Sequence, residues 1–326
     1  PPMTDAIRPI DIYRARHRLG GHVLHTLLLH SPSLSDHTGG RVHLKLECRQ
    51  ITGSFKLRGA TNALLSLDDE ARNRGVIAVS TGNHGRALAY AAHQLGVRAV
   101  ICMSTLVPSN KVEAIRALGA EVHIVGSSQD EAEVEVARLI RDEGLTYLPP
   151  FDHADIIAGQ GTVGLELLDD LPTLDTVLVP LSGGGLLAGV ALALKSASPQ
   201  IRVIGVTMAR GCAMHASLAA GKPVQVEELE TLADSLGGGI GLDNRYTFKM
   251  VQALVDDVVL VTEEDIAAAI RHAYANEQII IEGSGSVGIA ALLSGRVEST
   301  GTTAILVSGA NIDMALHRRI ICGLET

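Results

Sequence analysis

Aromatic residues are scarce in this chain: they make up 2% of its 326 residues, and tryptophan is absent. A core without large rings must be built from Ala, Val, Ile and Leu, which is the composition of helices packed on a parallel sheet. Hydrophobic residues account for 46% of the chain and charged residues for 19%, so there is ample material for a core. At this length we expect two domains or one large α/β domain.

Other shortages exclude whole classes of function. The formal net charge of −9 argues against nucleic-acid binding, which needs clustered Lys and Arg. The first residues lack the order of a secretion signal, and the most apolar window, residues 177–194, is broken by a proline and three glycines, so we predict no membrane span. No C-x-x-C pair is present, and we expect buried thiols in a reducing cytoplasm. The cysteines are Cys48, Cys102, Cys212 and Cys322.

Strand-like and helix-like segments alternate regularly after residue 41, which predicts parallel sheets with helices packed on them. Consecutive prolines at residues 149–150 interrupt the rhythm, and we place a domain crossing there. A small domain is expected at residues 52–150, inserted into a large domain of residues 1–51 and 151–326. Residues 22–40 are expected to be loop-rich, and residues 221–245 irregular and rich in glycine.

Lys56 lies between Phe55 and Leu57 in a Ser-Phe-Lys-Leu-Arg-Gly motif at residues 54–59, where a predicted strand leads into a helix. Apolar neighbours desolvate an amine, and desolvation favours the neutral form that attacks a carbonyl carbon. Lys56 is therefore a candidate Schiff-base lysine. Taken alone this pattern is weak, because most lysines near helix starts are solvated.

Three consecutive glycines at residues 183–185 follow an apolar strand and precede an apolar helix. Such a loop lets successive backbone N–H groups converge at a helix N-terminus, where the helix dipole favours an anion. The loop is typical of a phosphate site, although it lacks the ending of a P-loop. The alternative is a flexible turn, which would cost backbone entropy without a ligand.

Two further loops have the same placement at the end of a predicted strand. The Ser-Thr-Gly-Asn-His-Gly loop at residues 80–85 can bind a carboxylate or orient a ring oxygen, although a lone histidine that caps a helix, such as His84, is more often structural. Ser308 follows the last predicted strand, where open parallel sheets place their ligand contacts.

A Gly-Ser-Gly-Ser-Val-Gly pattern at residues 283–288 matches the dinucleotide-binding spacing. That fingerprint needs an acidic residue on the following strand, and residues 303–307 contain none, so we predict no nicotinamide site. Glu282 is left with two interpretations, contact with a cofactor ring or a cap on the following helix, of which the cap is favoured. Asp152, His153 and Asp155 are explained as the opening of a helix and not as a metal site.

Together these motifs resemble the fold-type II pyridoxal-phosphate enzymes, and within them the serine/threonine dehydratase and serine racemase group. The resemblance is carried by residues 54–59, 80–85, 157–162, 182–186 and 308–311. It implies a tryptophan-synthase-beta-like α/β fold, with two domains built on open parallel and mixed sheets, and pyridoxal 5′-phosphate in the cleft between them.

The resemblance also implies roles for individual residues. Lys56 would carry the cofactor and act as general base, Asn83 would meet the ring's phenolic oxygen, and Ser308 its pyridine nitrogen. The implied cofactor-binding residues are Phe55, Lys56, Asn83, Ser182, Gly183, Gly184, Gly185, Leu186 and Ser308. The implied substrate-binding residues are Ser80, Thr81, Gly82, His84 and Asp234, and the implied catalytic residues are Lys56 and Thr81.

The activity implied is the dehydration of a β-hydroxy amino acid to a 2-oxo acid and ammonia. A racemase on the same scaffold is the alternative, with Thr81 where serine racemases have a serine; a non-catalytic ligand-binding regulator is the third, which Lys56 and the glycine loop argue against. Residues 207–213 lack the carboxylates that bind a divalent cation in related racemases, so we predict no metal. The resemblance also implies a homodimer.

Residues 233–244, with Glu282 and the residues after it, look like the hydroxyectoine-utilisation dehydratases, a branch of the same group. If that likeness extends to the substrate, the substrate is a hydroxylated diamino acid whose second amine meets Asp234. The alternative is that the glycines of this stretch only shape a loop.

Overall fold

The computed structural model describes residues 6–80, 82–107, 109–126, 129–298 and 301–324. Within them the chain forms two β-sheets with helices packed against both, which confirms the predicted α/β class with parallel and mixed sheets. Thr81, to which the resemblance assigns catalytic and substrate-binding roles, lies outside the described residues.

The strands are, in chain order, β1 (Leu28–His30), β2 (Arg41–Lys45), β3 (Val76–Val79), β4 (Ala99–Met103), β5 (Glu121–Ile124), β6 (Thr146–Tyr147), β7 (Thr176–Pro180), β8 (Arg202–Met208), β9 (Asp257–Val261) and β10 (Thr302–Leu306). A six-stranded sheet has the order β1-β2-β10-β7-β8-β9, and a four-stranded sheet the order β5-β4-β3-β6. All neighbouring strands are parallel except β1, which pairs antiparallel with β2.

The helices are α1 (Pro9–Leu19), α2 (Pro32–Thr38), α3 (Lys56–Ser66), α4 (Asp69–Arg74), α5 (Asn83–Gln94), α6 (Ser109–Ala117), α7 (Gln129–Glu143), α8 (Ala154–Asp170), α9 (Gly185–Ala197), α10 (Ala213–Ala220), α11 (Thr247–Leu254), α12 (Glu263–Asn276), α13 (Gly283–Leu293) and α14 (Met314–Ile321). Short 3-10 turns lie at Glu47–Arg49 and Asp234–Leu236.

The two central strands of the larger sheet, β7 and β10, are buried along their whole length because helices cover both faces. On β7, Val177 and Val179 face the core formed with α8 and α9, whereas Leu178 faces the core formed with α12 and α13. The carboxyl ends of β7 and β10 therefore open at one edge of a fully covered sheet, where such folds bind ligands.

Glycines on α8 bring three helices into close contact. A Cβ on Gly189 of α9 would overlap the backbone of Gly161 on α8, and a Cβ on Gly159 would overlap the backbone of α3. Gly59 of α3 also donates its N–H to Oε1 of Gln160 at 3.1 Å. The Gly-Gln-Gly segment of the motif at residues 157–162 thus packs α8 against the lysine-bearing helix α3 on one side and against α9 on the other. Helix α9 starts at the glycine loop.

A buried ion cluster secures the other side of α3. Arg58 is 1% exposed and donates from Nε and Nη2 to Glu47 at 2.9 and 2.7 Å, and from Nη1 to Glu166 of α8 at 2.6 Å. Lys45 pairs with Glu166 at 2.7 Å. Burial opposes the ionised carboxyl, but Arg58 and Lys45 hold the pKa of Glu166 below its ordinary value.

The alternation of strands and helices predicted after residue 41 is present, and residues 221–245 are irregular as expected apart from one 3-10 turn. The expectation for residues 22–40 is wrong in part, because β1 and α2 lie there. Helix α2 has ordinary end signals: Ser31 accepts from the N–H of Leu34, and Gly39 ends the helix at φ 76°. The boundaries of the two domains stay a prediction.

The cysteine expectation also needs correction. Cys48 and Cys102 are buried, but Cys212 is only half-buried and Cys322 is exposed. Burial raises the pKa of Cys48 to about 12 and that of Cys102 to about 11. These two thiols are therefore held in the unreactive protonated form.

The apolar window at residues 177–194 forms most of β7, the glycine loop and most of α9. Across the part of the chain that the structure describes, no helix has both the length and the apolar character needed to traverse a bilayer.

Candidate active site

Four helices, α3, α5, α9 and α13, begin at one cavity of about 290 Å³. In none of the four does the side chain of the N-cap residue accept a hydrogen bond from the first turn. Helix N-termini carry partial positive charge and unsatisfied N–H groups, so the cavity suits a ligand that has more than one acidic group.

The structure brings together every predicted site residue that it describes. The cavity is lined by Phe55, Lys56, Ser80, Gly82, Asn83, His84, Ser182, Gly183, Gly184, Gly185, Leu186, Asp234 and Ser308. These residues come from both sheets, and the cavity therefore lies at the cleft in which the sequence predicts the cofactor.

Lys56 is the first residue of α3, and its Nζ donates a hydrogen bond of 2.6 Å to the carbonyl oxygen of Pro150. The amine also lies 5.3 Å from the centroid of the Phe55 ring. Burial lowers the pKa of Lys56 to about 8, against an opposing effect of the Glu282 carboxylate. A substantial fraction of this amine is therefore neutral near physiological pH and able to act as nucleophile or base.

The glycine loop adopts a conformation that side chains would prevent. Gly184 has φ 91°, in the left-handed region, and a Cβ on Gly183 would overlap the ring of Phe151. The backbone N–H groups of residues 182–184 donate to no other described residue. These donors, next to the start of α9, are arranged as an anion site.

Ser80 and Gly82 precede α5, whose first two residues are Asn83 and His84. Oγ of Ser80 accepts the N–H of Gly85 at 2.9 Å. His84 is buried, and its Nε2 donates to the carbonyl oxygen of Leu148 at 2.8 Å. Burial, with the nearby charge of Lys56, lowers the pKa of His84 to about 3, so its ring is neutral and offers no charge to a substrate carboxylate.

Glu282 does not cap the following helix with its side chain, so that prediction is wrong. It occupies the N-cap position of α13, but its carboxyl is 3% exposed and turned into the cavity, where Oε1 accepts from Nδ2 of Asn83 at 2.7 Å. Burial raises the pKa of Glu282 to about 7. A carboxyl that titrates near neutrality beside a candidate Schiff-base lysine is a mark of functional sites.

The lysine-bearing segment is joined to the end of β10. Ser54 forms a β-bridge with Gly309, and the N–H of Phe55 donates to the carbonyl oxygen of Ser308 at 3.1 Å. Ser308 is 3% exposed and lines the cavity. Its hydroxyl is thus held in fixed relation to Lys56 by main-chain bonds.

Lys111, Phe151 and Ser284 are among the cavity-lining residues that sequence reasoning did not assign to the site. Ser284 is 2% exposed, and its Oγ has no hydrogen-bond partner in the structure. An orphan hydroxyl in a cavity wall indicates an incomplete ligand set. No local pattern marks Lys111. Ser284 lies in the Gly-Ser-Gly-Ser-Val-Gly pattern, which was considered only as a dinucleotide site, and the consecutive prolines before Phe151 were assigned only to a domain crossing.

Asp152 has a role that differs from the expected opening of α8. His153 is the N-cap of α8, whereas Asp152 accepts the backbone N–H groups of Arg245, Tyr246 and Thr247 at 2.6, 2.9 and 3.0 Å. It therefore caps α11 across a long sequence separation. Among the described residues, no group of three or more His, Cys, Asp and Glu side chains is placed to hold a metal ion.

A larger cavity, of about 670 Å³, lies beside α1 and is lined by Arg8, Arg14 and Arg18. These arginines are paired with Asp11 or Asp155, and none of the predicted cofactor-binding or substrate-binding residues lines this cavity. The chemistry therefore indicates the smaller cavity at Lys56 as the active site.

A family model described as pyridoxal-phosphate dependent enzyme matches residues 19–309. This chain is a pyridoxal-phosphate dependent enzyme. It is 62% identical over 315 residues to a Sinorhizobium fredii protein that carries the provisional name threonine dehydratase, covering 96% of this chain and 95% of the relative. It is 42% identical over 311 residues to the L-threonine ammonia-lyase of Thermotoga maritima, covering 95% and 77%.

Among solved structures, maize serine racemase is similar over 98% of each chain, with a TM-score of 0.92 and 34% identity. The enzyme therefore belongs to the serine/threonine dehydratase and serine racemase group of fold type II, as its motifs predict. The finding also confirms the predicted cofactor.

The cavity fits pyridoxal phosphate on its own geometry. Residues 182–184 present N–H groups without a described acceptor, which suits a phosphate. Lys56 presents an amine of lowered pKa. The buried hydroxyl of Ser284 has no hydrogen-bond partner in the structure. We therefore treat the cavity as the cofactor site of this enzyme.

Proposed function

We propose that the enzyme removes water from a β-hydroxy amino acid of the L-threonine or L-serine type and releases a 2-oxo acid and ammonia. The observation that carries the proposal is the enclosed amine of Lys56, with its pKa of about 8, placed across the cavity from the uncapped N-terminus of α9. The L-threonine ammonia-lyases among its relatives support the same reaction.

The cofactor contacts follow from the arrangement of the cavity. The backbone N–H groups of residues 182–186 would hold the phosphate, Asn83 the phenolic oxygen and Ser308 the pyridine nitrogen. A serine at that nitrogen, unlike an aspartate, does not hold it protonated. When bound, the cofactor supplies an aromatic ring that withdraws electrons from the substrate's α-carbon.

Lys56 would act on the substrate itself. Its neutral amine takes the proton from the α-carbon, and the β-hydroxyl then leaves as water once it has gained a proton. The enclosure that lowers the pKa of Lys56 keeps this amine available as a base. The enamine that remains after the loss of water hydrolyses to the 2-oxo acid and ammonia.

The substrate carboxylate would lie at the start of α5. The N–H groups of Gly82, Asn83 and His84 donate to no other described residue, and the dipole of α5 favours a negative charge there. Because His84 is neutral and bound to Leu148, we assign this role to the backbone rather than to its ring.

A product assay tests the reaction. The purified enzyme is incubated with L-threonine, L-serine, hydroxyaspartate and hydroxylated diaminobutyrate, and 2-oxo acid and ammonia are measured together with the chirality of the remaining amino acid. We expect equal amounts of 2-oxo acid and ammonia. Accumulation of D-amino acid without 2-oxo acid would instead support the racemase, and binding without any turnover the non-catalytic regulator.

A variant of Asp234 tests, in the same assay, whether the substrate is a diamino acid. Asp234 lines the cavity from an exposed 3-10 turn, where a carboxylate can meet a second amine. If that pairing determines the substrate, Asp234→Asn raises the KM for hydroxylated diaminobutyrate by about tenfold and leaves that for L-threonine unchanged. An equal change for both would contradict a role in hydroxyectoine utilisation.

The homodimer and the cytoplasmic location also stay predictions. Sedimentation velocity of the enzyme at two concentrations measures its state, and a mass of one chain at both would contradict the dimer.

A further inference from the structure

Glu282 and Asn311, to which the proposed chemistry assigns no role, hold the amide of Asn83 from its two ends. Nδ2 of Asn83 donates to Oε1 of Glu282 at 2.7 Å, and Nδ2 of Asn311 donates to Oδ1 of Asn83 at 2.6 Å. Nδ2 of Asn311 also donates to the carbonyl oxygen of Thr52 at 3.0 Å. The chain of bonds thus runs from α13 through the start of α5 to the lysine-bearing segment.

The chemistry of these groups allows only one orientation of the Asn83 amide. A carboxylate accepts and cannot donate, so the end of Asn83 that faces Glu282 must be its NH₂ group. The Asn311 NH₂ group donates and cannot accept, and its own direction is set by the Thr52 carbonyl, so the end that faces it must be the Asn83 oxygen. Either contact alone suffices to determine the orientation.

Glycines make room for both contacts. A Cβ on Gly309 would overlap the carboxyl of Glu282, and a Cβ on Gly53, at φ 78°, would overlap the side chain of Asn311. Asn83 is itself 8% exposed and lines the cavity. The second N–H of its Nδ2 has no partner among the residues that the structure describes.

We infer that Glu282 and Asn311 are positioning residues that independently orient the Asn83 amide, so that its unpartnered N–H serves the phenolic oxygen of the cofactor. The inference rests on the proposed contact between Asn83 and the cofactor. It does not depend on which amino acid is the substrate.

A double-mutant cycle on cofactor affinity tests the inference. The dissociation constant for pyridoxal phosphate is measured by titrating apo-protein at pH 8.5 for wild type, Glu282→Gln, Asn311→Ala and the double variant. The glutamine amide in Glu282→Gln can accept or donate, so this variant loses the power to orient while the side chain keeps its size. We expect each single variant to bind within about threefold of wild type, because one orienting contact remains, and the double variant to bind at least about tenfold more weakly than the product of the single effects.

The pH dependence of Asn311→Ala is a second readout. In this variant only ionised Glu282 orients the amide, and its pKa of about 7 means that it gains a proton, and with it a donor, as the pH falls to 6. The affinity of Asn311→Ala relative to wild type should therefore fall between pH 8.5 and pH 6. The charges of Lys56, Arg86 and Asp234 also interact electrostatically with the groups of this cavity. Both proteins contain these residues, so their effect on affinity cancels in the ratio of the variant to wild type.

A matched control separates orientation from general loss of packing. Asn62 is fully buried, accepts from Nε of Arg18 at 3.0 Å and donates to the carbonyl oxygen of Asp155 at 2.7 Å. Asn62→Ala should lower thermal stability with little change in cofactor affinity. If Asn311→Ala does not fold, Asn311→Asp keeps the size but presents an acceptor to the Asn83 oxygen, and we expect it to bind the cofactor about tenfold more weakly.

A cycle in which the two effects simply multiply, with a pH-independent ratio for Asn311→Ala, would show that both residues are only structural and would overturn the inference. Because the titration reads cofactor binding without turnover, an enzyme that fails to dehydrate any tested amino acid leaves this result intact. Failure of the inference and failure of the proposed reaction are thus separable.

Discussion

The amine of Lys56 is bonded to the carbonyl oxygen of Pro150, the residue that directly precedes Phe151. The ring of Phe151 in turn lies against Gly183 of the phosphate loop, and its Cα, Cβ and carbonyl oxygen lie against Gly185. One short extended segment therefore contacts both the reactive amine and the loop for the acidic end of the cofactor. Residues 150–151 therefore set the distance between the Lys56 amine and the phosphate loop, which neither motif sets alone.

Lys56→Ala should abolish both turnover and the absorbance band of the bound cofactor, because no other group in the cavity is proposed to bind it covalently. The 2-oxo acid assay measures turnover, and the absorbance of the purified protein after incubation with excess pyridoxal phosphate measures the band of the bound cofactor. Lys249→Ala, on the exposed side of α11, is the control and should keep both. Retention of both properties by Lys56→Ala would refute the assignment.

The rate at which apo-protein captures the cofactor should rise with pH around a midpoint near 8. The neutral amine is the attacking form, and burial lowers the pKa of Lys56 to about 8 from its ordinary 10.5, so deprotonation is complete at lower pH than for a solvated lysine. The Glu282 carboxylate opposes this shift, and Glu282→Gln should therefore move the midpoint to lower pH. Stopped-flow absorbance between pH 6 and pH 10 gives both midpoints; an upward movement in the variant would contradict this account.

Gly183→Ala should weaken cofactor binding by at least about tenfold, because its Cβ would overlap the Phe151 ring and displace the phosphate loop. Gly239→Ala is the matched control, since a Cβ there meets nothing within 4 Å and its φ is not in the left-handed region. Titration of the two apo-proteins with pyridoxal phosphate compares them directly. Equal affinities would mean that the loop does not depend on its contact with Phe151.

Arg58→Met should lower the free energy of unfolding by about 3–5 kcal/mol, because Glu47 and Glu166 would remain buried without their partner. Urea unfolding of the apo-protein measures this loss. Arg16→Ala, which breaks the exposed pair with Asp169, should have a far smaller effect. Comparable losses for the two variants would show that burial of the cluster contributes little.

Local sequence was sufficient for features that depend on neighbouring residues. The glycine loop and Lys56 are marked by residue types that have few other uses in a strand-to-helix turn, and the alternating strands and helices follow from their apolar runs. For this reason the fold class, the cofactor and the predicted site residues among the described positions are all accessible to reasoning from short motifs.

Features that depend on distant contacts were not predictable from local patterns. The sequence pattern assigned no element to α11, whose first turn is satisfied by Asp152, about 95 positions earlier in the chain, as a cap that adds to its stability. Glu282 stands before a helix as a cap residue does, but its carboxyl faces Asn83, a partner that only the folded chain brings near. The role of Asn311 was likewise not predictable, because it depends on a contact with the oxygen end of the Asn83 amide that forms only in the folded chain.

The Ser54–Gly309 bridge joins two segments that are synthesised far apart in time. The ribosome adds Lys56 long before it adds β10, the last strand of the larger sheet. The complete site for pyridoxal phosphate can therefore form only after nearly the whole chain has been synthesised. Translation products that end before residue 309 therefore contain the reactive lysine but lack the bridge that fixes its segment against the end of β10.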